Sequence, residues 1–305
     1  MTVNLIVEPT QPPLSWDKFI HTKEPYAIAL DGYVHGAPQF VRSADGPWAN
    51  FNHHEDVDRL STRATCGQVL IAIRQGLFQT FRDSSGIKAN VYVNDCDEDV
   101  CTAWFLLKHP EMAENSTNPL LNRLVDIEDK LDCTAGAYPI HKDTLLLQEM
   151  AWIYDPYRKF RVNGGLDRRD PAEFQQVIDN VALRIMAHLV GRGSSIALDF
   201  SYEEITRGRN WAMVRETGAS ARTAMVSNGI GAFISVRDRA DGKWVYSIGR
   251  ISQFIDFDVP AILRALNEEE KAKVFGGGNT IGGCREGSTL NPETVVRVVK
   301  TVTGE

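Results

Sequence analysis

Two short apolar runs, residues 26–30 (YAIAL) and 89–93 (ANVYV), each give way to aspartate, and stretches with helical spacing follow both. That alternation constrains the fold more than any other feature. Buried strand, then amphipathic helix, then strand again is the signature of an α/β domain with a mainly parallel sheet. Sites in such sheets form beyond the carboxyl ends of the strands, and Asp31 and Asp95 lie at two of these ends. The spacing predicts a helix through STRATCGQVLIAIRQGL, capped by Ser61 or Thr62, with Val69, Leu70, Ile73 and Leu77 on one face. It predicts further helices from Val100 to Pro110, over 118–131 and over 171–190, with a polar stretch, DPYRKFRVNGGLDRRDP, before the last.

The glycine–serine segment 191–195 is the best boundary, giving domains 1–192 and 193–305. Beyond it the texture changes. Residues 210–216, 231–238 and 243–250 read as strands, the last two as a hairpin around ADGK, and 259–275 reads as a helix running into GGGNTIGG. A smaller α/β domain with a mixed sheet is expected there, with the active site in the cleft between the domains.

Composition bounds the function. A net charge of −7 disfavours a protein that coats nucleic acid, although bound cations would reverse the local field. Five cysteines without a CxxC pair argue for a reducing compartment and against a cysteine zinc site. No apolar stretch is long enough to span a bilayer, and the first sixteen residues lack the basic and apolar regions of a secretory signal. A cytoplasmic protein is expected, and a homodimer is compatible with this composition.

The chemistry gathers in the first half. Asp31, the pair His53-His54, the run Asp95, Asp97, Asp99, and the carboxylates of VDIEDKLDC are oxygen and imidazole donors of the kind that hard divalent cations require. Each has a plainer reading: solvated loop histidines, an acidic helix start, the wet face of an amphipathic helix. An EF-hand would need Gly and Glu where the chain has Val100 and Leu106, and nothing matches a phosphate-binding P-loop. GGGNTIGG does not fit the dinucleotide fingerprint, but so many glycines permit close approach of backbone N–H groups to an anion.

In NHHEDVDRLSTRATC, NDCDEDVCTAW, the lone Asp31 and DKLDCTAG, the chain resembles the DHH phosphoesterase superfamily over roughly residues 26–135. The Asp-His-His signature opens here with Asn52, the Asp-rich element lacks its first histidine, for which Asp95 would stand in, and that element follows the histidine pair. The resemblance implies a two-metal hydrolase. Asp31 would bridge two Mn²⁺ ions (Mg²⁺ being the other candidate), with His53, Asp95, Asp97 and Asp99 as ligands and Asp129 or Asp132 completing one sphere; Asp126 is a third option. His54 and Asp97 would carry the catalysis, with His54 facing the substrate phosphate.

The later glycine loop, Gly276, Gly277, Gly278 and Asn279, resembles the substrate-binding loop of the DHH-associated domain, and Arg250 stands where that family has a strand arginine. Arg207, Arg209, Arg215 and Arg222 could grip phosphates, and Trp211 and Trp244 could stack a base, although core packing is the plainer account of both tryptophans. The implied substrate is a small nucleotide-like phosphodiester or phosphoanhydride, or a short oligonucleotide. A non-catalytic sensor of a phosphorylated ligand, and a metal-dependent hydrolase of another bond such as an amide, are the alternatives.

Overall fold

The computed structural model describes residues 2–115, 117–284 and 286–305. It is an α/β structure with two mixed sheets. The chain through Cys133, together with Leu145–Ile196, forms one compact unit; Thr134–Thr144 and Ala197–Glu305 form the other. Among the described residues no helix is long and apolar enough to cross a membrane.

The first unit runs β1 (Thr2–Val7), α1 (Trp16–Thr22), β2 (Ala27–Leu30), β3 (Gln39–Arg42), β4 (Pro47–Phe51), α2 (Thr65–Arg74), α3 (Leu77–Thr80), β5 (Arg82–Asp83), β6 (Gly86–Val93) and α4 (Glu98–Lys108). It continues with α5 (Pro110–Ala113), α6 (Pro119–Cys133), α7 (Leu145–Ile153), α8 (Asp155–Val162), α9 (Gly165–Arg168) and α10 (Pro171–Leu189). The strand order is β1-β6-β2-β4-β3. The pairs β1–β6, β6–β2 and β2–β4 are parallel; β3 joins β4 antiparallel, and β5 joins β6 antiparallel.

Successive side chains of a strand point to opposite faces, and both faces of this sheet are covered. Ile28, Leu30, Val91 and Val93 enter a core with Val69, Phe105, Leu106 and Ile178, whereas Ala27, Ala29 and Tyr92 pack with Phe19, Tyr33 and Trp48. Burial on both faces explains why β2 and β6 read as continuous apolar runs.

Several expectations change. Helix α2 begins at Thr65 without a side-chain cap from Ser61 or Thr62, because carboxylates from elsewhere take its first N–H groups. Helix α4 starts at Glu98, with Asp97 as its cap. The polar stretch 155–171 is largely helical: α8 puts Tyr157 and Phe160, three residues apart, into the core, with Lys159 and Arg161 exposed and Asp155 and Arg158 half-buried. Strand β4, which ends just before the histidine pair, was not expected, since PWANF has neither alternation nor β-branching.

The second unit holds β7 (Tyr202–Arg207), β8 (Ala212–Glu216), α11 (Ala221–Ser227), β9 (Ala232–Asp238), β10 (Trp244–Arg250), α12 (Val259–Glu270), β11 (Gly276–Gly277), β12 (Ile281–Gly283) and α13 (Pro292–Thr303). Its order is β11-β12-β10-β9-β8-β7, antiparallel except for β8 and β9. The β9–β10 hairpin turns at Gly242, whose φ of +78° suits glycine. Ile234, Val236, Tyr246 and Ile248 pack with Ile262 and Leu266 of α12 and Val295 and Val299 of α13.

Candidate metal centre

Strands β6, β2 and β4 are parallel neighbours, so their carboxyl ends lie side by side. The first delivers Asp95, Asp97 and Asp99, the second Asp31, and the third Asn52, His53 and His54. Asp31 turns out of β2 with φ +47°, its N–H donating to Phe51 O at 2.8 Å. Aspartate tolerates this left-handed conformation better than most residues. The C-terminal turns of α6 add Glu128, Asp129 and Asp132.

His53 is fully buried. Its Nε2 lies 2.7 Å from Asp132 Oδ2, 3.4 Å from Asp31 Oδ1 and 3.7 Å from Asp99 Oδ2. Yet neither His53 Nε2 nor Asp132 Oδ2 has a hydrogen-bond partner. The two atoms are close without being aimed at one another, as expected of donors converging on a shared point. With His53 protonated the two form an ion pair, and a cation could take the place of that proton. One imidazole nitrogen with carboxylate oxygens suits Mn²⁺ or Mg²⁺ better than a soft metal. A second set of donors, Asp31, His53 and His54, overlaps the first through Asp31 and His53.

His54 is held from both sides: Nε2 is 2.9 Å from Asp31 Oδ1, and Arg59 Nη2 is 2.7 Å from Nδ1. A guanidinium can only donate, so Nδ1 accepts and Nε2 carries the hydrogen. Arg59 also donates from Nε to His53 O at 3.3 Å. Asn52, fully buried, fixes the backbone of the pair. Its Oδ1 accepts from His53 N (2.8 Å) and His54 N (3.1 Å), while its Nδ2 faces Val34 O, Gly36 O and Glu55 Oε2 at 3.2, 2.9 and 2.8 Å. A carboxylate could make the first set of bonds but not the second, which accounts for asparagine at this position.

The other carboxylates divide by what they hold. Asp99 accepts from Thr65 N and Cys66 N, both at 2.7 Å, closing the N-terminus of α2. Asp129 accepts from Ala64 N at 2.6 Å and Arg63 Nη1 at 2.9 Å, so it serves the start of the same helix and lies in neither donor group. Asp126 is exposed and paired with Lys130. Asp97 Oδ1 caps α4 through Val100 N, and Asp95 Oδ1 accepts from Cys96 N; neither is in the two groups. They still share the field: burial, then the charges of Asp31, Asp95, Asp132 and Asp99, push the Asp97 carboxyl well up.

Protonation follows the same crowding. Burial raises Asp99 to about 7, helped by Asp31 and Asp132, and burial also raises Asp95. Burial works against the charge of Asp31, but the His53 and His54 rings carry its carboxyl well below the ordinary value. Burial alone would lower His53; Asp132 and Asp31 outweigh it and push the imidazole up to about 12. Burial likewise lowers His54, and Asp31 more than offsets it.

In the second unit the glycine loop is a small hairpin: Gly276–Gly277 pair with Ile281–Gly283, and Gly278 N donates to Ile281 O at 2.8 Å. Arg250 spends its guanidinium on carbonyls, donating from Nε to Asn279 O (3.0 Å) and from Nη1 to Ile255 O (3.0 Å) and Gln253 O (3.4 Å). Arg207, Arg215 and Arg222 are ion-paired with Glu204, Glu203 and Glu216. Trp211 is buried, its Nε1 donating to Glu305, and Trp244 packs at the margin of the core. Trp211 therefore offers no open face for stacking. Sequence reasoning did not single out Arg59, Thr65 or Arg63, since their importance comes from contacts that no spacing announces.

No family model, no curated protein and no solved structure matches this chain.

Proposed function

We propose that the protein is a divalent-metal-dependent hydrolase, a divergent relative of the DHH phosphoesterases, acting on a phosphodiester or phosphoanhydride bond in a small nucleotide-like or short oligonucleotide substrate. The observation that carries this reading is the buried His53 Nε2 with Asp132, Asp31 and Asp99 oxygens 2.7, 3.4 and 3.7 Å away and no hydrogen-bond partner. These four residues would hold one ion. Asp31 would be shared with a second, near Asp95 and Asp97.

Bound there, divalent cations supply positive charge that makes water more acidic and offsets charge building on phosphoryl oxygens. The chain supplies the rest. Asn52 sets the backbone from which both histidines project. Arg59 fills His54 Nδ1, so the ring keeps its hydrogen on Nε2, where it meets Asp31, and the guanidinium adds positive charge beside the site for a phosphate.

The test joins elemental analysis of the purified protein with hydrolysis of bis(p-nitrophenyl) phosphate in Mn²⁺. Up to two equivalents of transition metal and Mn²⁺-stimulated turnover are expected, both lost in His53→Ala. Turnover that survives chelation and His53→Ala would overturn the reading.

A further inference from the structure

Thr65, the first residue of α2, is fully buried and sends both of its hydrogen-bond donors outside its own helix. A helical threonine ordinarily returns its hydroxyl to a carbonyl of the preceding turn, but at the start of a helix that turn does not exist. Here Oγ1 lies 3.0 Å from Asp31 Oδ1, 34 residues away in the chain, and 3.3 Å from Phe51 O. A hydroxyl has one hydrogen to give. Phe51 O already accepts from Asp31 N at 2.8 Å, and a carboxylate is the stronger acceptor, so the hydrogen goes to Asp31. The backbone of the same residue donates from N to Asp99 Oδ2 at 2.7 Å.

The two oxygens that Thr65 holds are those with which Asp31 and Asp99 face His53 Nε2, at 3.4 and 3.7 Å. Such a hold matters because the last torsion of an aspartate is broad, so the carboxylate lies where its donors direct it. Asp99 has a further donor in Cys66 N, also at 2.7 Å. Besides Thr65, Asp31 Oδ1 meets the two imidazoles, with His54 Nε2 at 2.9 Å. A ring that serves as a metal ligand through Nε2 has no hydrogen left to donate there. His53 therefore cannot hold Asp31 in a loaded centre, whereas the Thr65 hydroxyl holds it loaded or empty.

We infer that Thr65 is the positioning residue for the carboxylate shared between the two ions. The inference rests on the metal centre proposed above and names the residue that makes its bridge rigid. Loss of the hydroxyl should touch the ions unequally. His53, Asp132 and Asp99 stay in place for one of them, and any residue at position 65 other than proline still offers its N–H to Asp99. The other ion depends on Asp31 for its link to this group.

The experiment is calorimetric titration of Mn²⁺ into the full chain and into Thr65→Val, Thr65→Ala and Thr65→Ser, with electron paramagnetic resonance of Mn²⁺ on the same samples. Thr65→Val keeps the shape without the hydroxyl, Thr65→Ala drops both, and Thr65→Ser keeps the hydroxyl. The valine and alanine variants should bind the last Mn²⁺ about 10- to 100-fold more weakly and lose the spectrum of two coupled ions at matched concentrations. Thr65→Ser should restore affinity and spectrum. A second arm uses no metal. In EDTA, Thr65→Val should lower the urea midpoint, and lower it less in an Asp31→Ala background, where the hydroxyl has no carboxylate to meet. Undiminished Mn²⁺ affinity in Thr65→Val, no recovery in Thr65→Ser, or equal effects in the two backgrounds would each sink the inference. An unaltered chain that takes up no Mn²⁺ would instead remove the proposed function, and the comparison in EDTA would then decide the hold on Asp31 by itself.

Discussion

At the scale of single residues, a departure from a motif is explained by hydrogen-bond inventory. Asn52 both accepts from two backbone N–H groups and donates toward two carbonyls and Glu55, all in a fully buried site. Asn52→Asp would turn a donor into a charge facing three acceptors. We expect it to destabilise the protein by about 1–3 kcal/mol or more in urea denaturation and to weaken Mn²⁺ binding by calorimetry. Asp132→Asn and Asp129→Asn separate two carboxylates that the sequence left level. The first should lose metal with little change in fold; the second should lower the melting temperature and keep metal.

Asp31, His53 and Asp99, which lie together in the structure, stood out in the sequence because an apolar run ends at Asp31, His53 belongs to a histidine pair and acids crowd around Asp99. The sequence could not choose between Asp129 and Asp132, because the choice depends on how α6 is rotated against its neighbours. One carboxylate meets Ala64 N and the other meets His53.

At the scale of elements, α2 owes its start to acids borrowed from α4 and α6. Asp99 and Asp129 between them take three N–H groups at its beginning. Gly67 makes room for this: a Cβ there would lie 2.9 Å from Asp129 Cγ. Replacing a helical glycine with alanine ordinarily stabilises by about 1 kcal/mol. Here Gly67→Ala should destabilise instead, and thermal melts will show the sign.

This borrowing is also why the expected caps failed. Ser61 and Thr62 are good cap residues by type, but the donors they would have served are already taken. Helices α2, α6 and α10 and strands β2 and β6 were legible from periodicity. Strand β4 was not, because Trp48, Asn50 and Phe51 follow no alternation and only its position between β2 and β3 makes it a strand.

At the scale of the molecule, the acid cluster ties stability to pH and metal. Asp99 rises from 3.8 to about 7, so what its neutral form contributes is complete below about pH 4 and lost as pH climbs through 7. Asp95 and Asp97 act in the same direction. His53, raised from 6.5 to about 12, contributes fully below 6.5 and ever less above it. Asp31 is lowered, so its contribution holds above 3.8 and is lost only in stronger acid. Metal-free protein should therefore lose stability from about pH 4 upward, and Mn²⁺ should raise the melting temperature more at pH 8 than at pH 5. Equal increments at both would contradict this.

The polypeptide passes between the two units three times, after Cys133, Thr144 and Ile196. The short excursion 134–144 is fastened into the second unit by Arg222 Nη1 on Ala135 O and Ser227 Oγ on Ile140 O. A protease cutting once between Ile196 and Ala197 would therefore not liberate two separate bodies. The larger fragment would keep hold of the smaller as a plug keeps hold of a socket, and the nicked pair should co-elute on gel filtration until denaturant is added. Neither half can be cloned by simple truncation, so the chain must be trimmed by excision and splicing.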